Sequence, residues 1–321
     1  MTTLLSRYAE DIFWTARYIE RAEALARILD VNETFSRDSR GGQNWQAVLE
    51  IYHDGPRFFQ EHATASAESV IHFYTLDMRN PTSIIRALRM ARENARAMRP
   101  LISTEMWTQI NIFYNRLLAL GPQDITEPRL TRFCQFVKEG CQTHTGITEG
   151  TFYRDEAWCF YQIGRQIERA DQTTRLLDAK YQLLLPSVDQ VGTPVDISRW
   201  NALLRSASGY HAFRKIHPRD MTPADVAGFM LFHHAFPRSV VACVSEIRQR
   251  ISELRSGYGV PGATDVTGSL DDLRRLIDDG DIDQVIAGGL HEYLDRLQRH
   301  LQALSRDIGR EMFAHQATTA G

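Results

Sequence analysis

Glutamate and arginine stand side by side in two otherwise apolar stretches, RYIERAEALARILD at residues 17–30 and RQIERADQTTRLLD at residues 165–178. Residues three and four apart share one face of a helix, so Glu20 with Glu23, and Glu168 with Asp171, form two acid pairs. Arg17, Arg21 and Arg27 accompany the first pair, and Arg165, Arg169 and Arg175 the second. These residue types support three chemistries. Carboxylates facing one another inside a helical bundle can hold a metal or move protons. Arginines can cradle a carboxylate or phosphate ligand through bidentate hydrogen bonds. The two signs can also neutralise each other in a buried lattice that fixes two segments in one arrangement. The metal version is the weakest, because di-iron bundles place Glu-x-x-His on two helices. Positions 23 and 171 hold Glu and Asp, and the adjoining arginines repel a cation. No metal is expected.

At about 100° per residue, Leu5, Tyr8, Ala9, Ile12, Phe13, Ala16 and Ile19 fall within an arc of roughly 140°, which predicts the buried face. Glu20, Glu23, Arg27 and Asp30 land in the same arc, with Arg17 and Arg21 beside its edge. The second block repeats the pattern, with Tyr153, Phe160, Tyr161, Gly164 and Ile167 on the arc and Glu168, Asp171, Arg175 and Asp178 among them. A carboxylate buried without a partner costs several kcal/mol, on the order of the desolvation penalty of an ion. Its partner is expected among the arginines of the two blocks, or among Arg86 and Arg92 of a neighbouring helix.

Other candidates are secondary. Asp77, Arg79 and Asn80 precede a predicted helix start, where backbone N–H groups can receive an anion; the alternative is a capped turn. His72 and the pair His233-His234 sit in apolar surroundings and read as core histidines, as does the aromatic segment from Met106 to Leu118. Cys134, Cys141, Cys159 and Cys243 show no metal-ligand spacing and read as reduced, buried thiols. No nucleophile elbow, P-loop, dinucleotide fingerprint or zinc-protease motif appears, so no cofactor is expected.

The elements that position these residues are helices. Apolar residues recur at three and four throughout, and period-two runs are almost absent, so the fold class is all-α. Asn80-Pro81 and Thr222-Pro223 with Asp225 read as helix starts. Gly41-Gly42, Gly121-Pro122, Gly192-Thr193-Pro194 and the stretch from Ser256 to Ser269 read as loops, and Pro237 ends or kinks a helix. Three blocks recur in order: residues 9–30 with 157–178, WQAVL at Trp45 with WNALL at Trp200, and PTSII at Pro81 with PRSVV at Pro237. Collinear recurrence predicts two tandem, pseudo-twofold-related halves, about 1–150 and 151–313. No linker separates them, so they form a single bundle over 1–321, with a disordered tail at 314–321.

A chain of 321 residues with 43% hydrophobic content can bury a large core. Its net charge of −3 provides no positive field for nucleic acid or an anionic membrane. No segment approaches the roughly 20 apolar residues of a membrane span, which predicts a cytoplasmic protein.

Three segments together, LLSRYAEDIFWTARYIERAEALARILD, SVIHFYTLDMRNPTSIIRALRMARENAR and FYRDEAWCFYQIGRQIERADQTTRLLD, resemble the bacterial Alpha-E family. The family is defined by an alpha-helical domain with a Glu-Arg motif, which falls here on Glu20-Arg21 and Glu168-Arg169. The resemblance implies association with a circularly permuted ATP-grasp protein of the amide-ligase type and with a transglutaminase-like protein. It thus implies an accessory or substrate-binding role in forming or modifying a small peptide, with a peptide as ligand. The alternatives are an enzyme using Glu20 and Glu168 as metal-binding or acid-base carboxylates, or a structural component of a homo-oligomer.

Overall fold

The three-and-four spacing of apolar residues folds as helix, and a computed structural model of the chain holds no strand among the described residues. It describes residues 4–38, 45–184, 194–219, 221–278 and 280–313. The tail 314–321, expected to be disordered, and the Gly41-Gly42 and Gly192-Thr193 loops lie outside them. The first helices are α1 (Ser6–Asp38), α2 (Gln46–Ile51), α3 (Gly55–Phe58), α4 (Ala67–Thr75), α5 (Ile84–Ala97), α6 (Thr104–Leu118) and α7 (Leu130–Thr151). There follow α8 (Glu156–Leu184), α9 (Pro194–Ser206), α10 (Tyr210–Ile216), α11 (Pro223–Phe232), α12 (Val240–Ser256), α13 (Thr267–Asp278), α14 (Ile282–Ala287) and α15 (Leu290–Met312).

The long helices α1 and α8, which carry the two Glu-Arg blocks, form the most extensive pairing in the bundle. They run parallel, because contacts advance together along both: the Leu4 amide meets Glu156, the Phe13 carbonyl faces Gly164, and Glu20 meets Arg169. Gly164 permits this approach. A Cβ at that position would lie 2.3 Å from the Phe13 carbonyl oxygen, so any side chain would push the helices apart. On its other sides α1 packs against α5 and α7, and α8 against α12 and α15. Lys138 to Asp30 at one level, with Thr131 to Glu33 at the next, sets α7 antiparallel to α1. His291 beside Asp178, with Phe313 against Phe160, sets α15 antiparallel to α8. One continuous apolar core fills the space between them, including Ile12, Phe13, Leu25, Leu29, Phe160, Tyr161 and Ile163.

Helix starts are set by local chemistry. Thr222 and Asp225 form a reciprocal capping box with Pro223 at the first helical position. The start expected at Asn80-Pro81 falls later: α5 begins at Ile84, and Ser83 is its cap. Ser83 accepts the Arg86 amide and donates to the Asp77 carbonyl, while Ser239 accepts the Ala242 amide and donates to the His233 carbonyl. In both places proline stands two residues before the cap and shapes the turn rather than the first helical position. Pro237 accordingly separates α11 from α12.

The wheel fails at two residues. Leu5 is 55% exposed and Tyr153 is 77% exposed. Leu5 precedes the first turn of α1, and Tyr153 lies in the bend between α7 and α8, where the helical angle no longer governs side-chain direction.

Candidate functional site

At the centre of the parallel pair the two Glu-Arg motifs cross-bind. Arg21 on α1 grips Glu168 on α8 with two donors, Nε to Oε1 at 2.7 Å and Nη2 to Oε2 at 2.9 Å. Arg169 on α8 grips Glu20 on α1 in the same manner, at 3.1 and 2.8 Å. Planar guanidinium and planar carboxylate match edge to edge, which lysine cannot reproduce. Each glutamate takes a second cation. Arg17 reaches Glu168 Oε2 at 2.9 Å, and Arg238, from the turn before α12, reaches Glu20 Oε1 at 2.5 Å. Gln172 adds a fourth donor to Glu168 at 3.1 Å and accepts the Tyr52 hydroxyl.

The electrostatics follow from this geometry. Glu20 and Glu168 side chains are 3% and 1% exposed, and burial alone would favour the neutral acid. The facing arginines outweigh it, holding Glu20 well below the usual carboxylate range through Arg169 and Arg238, and Glu168 at about 2 through Arg21 and Arg17. For Arg21 and Arg169 burial likewise opposes the charge, and Glu168 and Glu20 overcome it, so both stay firmly protonated. Such carboxylates are poor bases at neutral pH and have no proton to donate. Glu168 already accepts four hydrogen bonds and each glutamate faces two guanidinium groups, so a metal cation meets filled acceptors and repulsion there.

The remaining residues of the blocks extend the lattice. Glu23 takes Arg27 from one helical turn on at 2.6 Å and Arg238 at 3.2 Å. Asp171 takes Arg175 at 2.7 Å, and Arg175 also donates to the Ile51 carbonyl, tying α8 to α2. Arg17 donates to Ser305 on α15. Arg165 pairs with Glu149 and Gln162 at 2.8 and 2.6 Å. Arg92 pairs with Glu93 and Asn111, and among the described residues neither Arg86 nor Arg92 forms an ion pair with Glu20 or Glu168. Arg238 takes that place. The clue to it was the PRSVV block, where Arg238 stands at the position of Thr82 in PTSII; the Thr173 hydroxyl holds its carbonyl at 2.9 Å.

Asp77, Arg79 and Asn80 form the turn ahead of α5. Asp77 accepts the Arg79 amide, Asn80 accepts the Thr82 amide and donates to the Phe73 carbonyl, and Arg79 reaches outward to Glu61. Asp77 and Asn80 are thus engaged within the turn, while the exposed Arg79 guanidinium pairs with Glu61 outside it. The four cysteines are buried and free, and burial pushes the thiols of Cys159 and Cys243 up to about 12. Asp178, His291 and Asp295 bring ligand atoms within 4.8 Å of one another. There His291 Nδ1 lies 2.7 Å from Asp178, and its Nε2 lies 4.0 Å from Asp295.

A groove of about 1470 Å³ opens beside the second block, between α8, α12 and the start of α13. From α8 it is lined by Trp158, Gln162, Arg165, Gln166 and Arg169, and from α12 by Glu246, Gln249, Arg250 and Glu253 among others. Sequence reasoning missed it, because it arises from packing between helices. A trace exists in the blocks themselves. Six and two residues before Glu168 stand Gln162 and Gln166; six and two residues before Glu20 stand Trp14 and Tyr18. Those aromatics stack, with ring centres 5.6 Å apart, and Arg17 lies over Trp14 at 4.7 Å. The first block carries stacked rings where the second carries groove-lining amides.

Comparison with known proteins agrees with the motif geometry. The Alpha-E family model, described as a predicted alpha-helical domain with a conserved ER motif, matches residues 4–313. The chain is also 24% identical over 336 residues to proteins named as uncharacterized from Mycobacterium bovis and Mycobacterium tuberculosis. The alignment covers 98% of this chain and 37% of each relative, so the chain spans little more than a third of their length. No solved structure matches. Among the described residues, no helix is long and apolar enough to cross a membrane.

Proposed function

The chain belongs to the Alpha-E family, and from that premise we propose that it is a ligand-binding accessory protein of a peptide-amide ligase system, with the groove on α8 as its binding site. The observation that carries this reading is the contrast between spent and unspent polar groups. The motif charges satisfy one another across α1 and α8, which leaves them a framing role. The groove beside them is large and polar, and the Gln166 and Gln249 amides on it carry no hydrogen bond to any described residue, the kind of group that pairs with a peptide main chain. ATP chemistry then belongs to a partner, a circularly permuted ATP-grasp protein of the amide-ligase type, and trimming belongs to a transglutaminase-like protein. A cytoplasmic location suits such partners. The saturated state of Glu20 and Glu168 weighs against the alternative of an enzyme using them as acid-base or metal-binding groups.

The test is isothermal titration with a library of short peptides, on the native chain and on a variant carrying Gln162→Trp and Gln166→Tyr. The substitutions copy the first block's rings into the second. Binding by the native chain and its loss in the folded variant are expected. Equal binding by both would remove the groove from the function, and turnover of a peptide by the isolated native chain would replace the accessory reading with an enzymatic one.

A further inference from the structure

Two buried polar atoms of groove-lining residues lack any protein partner, the Gln166 Oε1 acceptor and the Arg165 Nε–H donor. Gln166 is only 7% exposed. The other end of the Arg165 guanidinium is pinned by Glu149 and Gln162, so the Nε edge is held in one orientation. Buried polar groups are almost always satisfied by protein, water or ligand. The Gln166 side-chain amide carries no hydrogen bond to any described residue, and a side-chain amide can pair with the N–H and C=O of a peptide main chain.

The charges around the groove fix the ligand's sign. Glu149 is bound to Arg165, and Glu246 and Glu253 are both bound to Arg250 at 2.8 and 2.6 Å. Arg248 and Arg255 line the same groove, are exposed, and form no ion pair with any described residue. Asp271 is the one groove carboxylate in the same position among the described residues. Uncommitted positive charge therefore exceeds uncommitted negative charge in the groove, with Arg248 and Arg255 seven residues apart on one face of α12.

We propose that the groove takes a short acidic peptide, its carboxylates reaching Arg248 and Arg255 and its main chain meeting the Gln166 side-chain amide. This rests on the groove being the ligand site and adds the class of ligand. Exposed arginines contribute through charge and are screened by salt, whereas the buried amide contacts act on any peptide.

The experiment titrates the full chain with two probes, tetra-L-glutamate with free termini and tetra-L-glutamine blocked at both ends. Tetraglutamate is expected to bind at least tenfold more tightly at low salt. Arg248→Ala with Arg255→Ala, both exposed positions, is expected to abolish that preference without changing thermal unfolding. Gln166→Leu is expected to weaken both peptides by a similar factor. Equal affinity of the native chain for the two probes overturns the acidic class while leaving a peptide groove in place. Binding of neither overturns both the class and the groove.

Discussion

The two Glu-Arg motifs are matched in chemistry and unlike in surroundings. Glu168 receives four hydrogen bonds, from Arg21, Arg17 and Gln172, and its arginines belong to α1 alone. Glu20 receives three, from Arg169 on α8 and from Arg238 in the turn before α12. Arg238 is shared with Glu23, so the Glu20 set continues into a second carboxylate, whereas Gln172 and Tyr52 close the Glu168 set. Beside the first motif Trp14 and Tyr18 stack; beside the second Gln162 and Gln166 line a groove. Identical motifs can thus serve as one frame while their flanks diverge, one toward packing and the other toward binding.

The largest expected effect tests the frame. Glu168→Gln leaves Arg17 and Arg21 without their carboxylate, a change that costs about 3 to 5 kcal/mol for a buried pair broken on one side. Glu20→Gln is expected to cost less, because Arg238 keeps Glu23. Chemical denaturation of the two variants measures both, and a larger loss at Glu20 would break the asymmetry. Acid reads the same frame. A carboxylate whose folded pKa is depressed stabilises the protein above its unfolded value of about 4.5, and that stability is lost as pH falls through the folded value, about 2 for Glu168. His144 acts in a separate window. Burial lowers it from 6.5 to about 4, so the unfolded chain takes up a proton there first and stability falls as pH drops across that interval. In a pH series of unfolding midpoints, His144→Phe is expected to flatten the upper step and leave the lower one.

Next in size is the crossing of α1 and α8. Gly164→Ala drives a methyl group onto the Phe13 carbonyl and is expected to cost about 1 to 3 kcal/mol, despite alanine's better helix propensity. At the corresponding place in the first block, four residues before Glu20, the chain already carries Ala16. A neutral Gly164→Ala in thermal unfolding would mean that the approach is not limited by that residue. Smaller still, Ser83→Ala and Ser239→Ala each remove a helix cap, at about 1 kcal/mol. Their equality in calorimetry would show that the two turns are equivalent in energy as well as in hydrogen bonding. Arg79→Ala, at a side chain 72% exposed, is expected to leave the unfolding midpoint unchanged.

Helical periodicity made the all-α class legible, and the wheel placed Glu20 and Glu168 among apolar neighbours that the fold does bury. Periodicity describes one helix at a time. It could not say that α1 and α8 run parallel, nor that the second cation for Glu20 comes from Arg238, 218 residues away, and not from Arg86 or Arg92. It also misjudged Leu5 and Tyr153, where the helix has not begun, and the start of α5, where a proline turn resembles a capped helix entry. The groove stayed invisible because it is the space between three helices. Only the exchange of Trp14 and Tyr18 for Gln162 and Gln166 betrays it in the sequence.

The reciprocal grip of Arg21 on Glu168 and of Arg169 on Glu20 also governs the order in which the chain can fold. The partners are 147 and 149 residues apart, so the loops that bring them together carry a substantial closure entropy. During synthesis α1 emerges with a carboxylate on its apolar face and no cation for it until α8 follows. The Glu20 and Glu168 pairings are therefore completed only once α8 is present, so the two long helices are expected to become stable together.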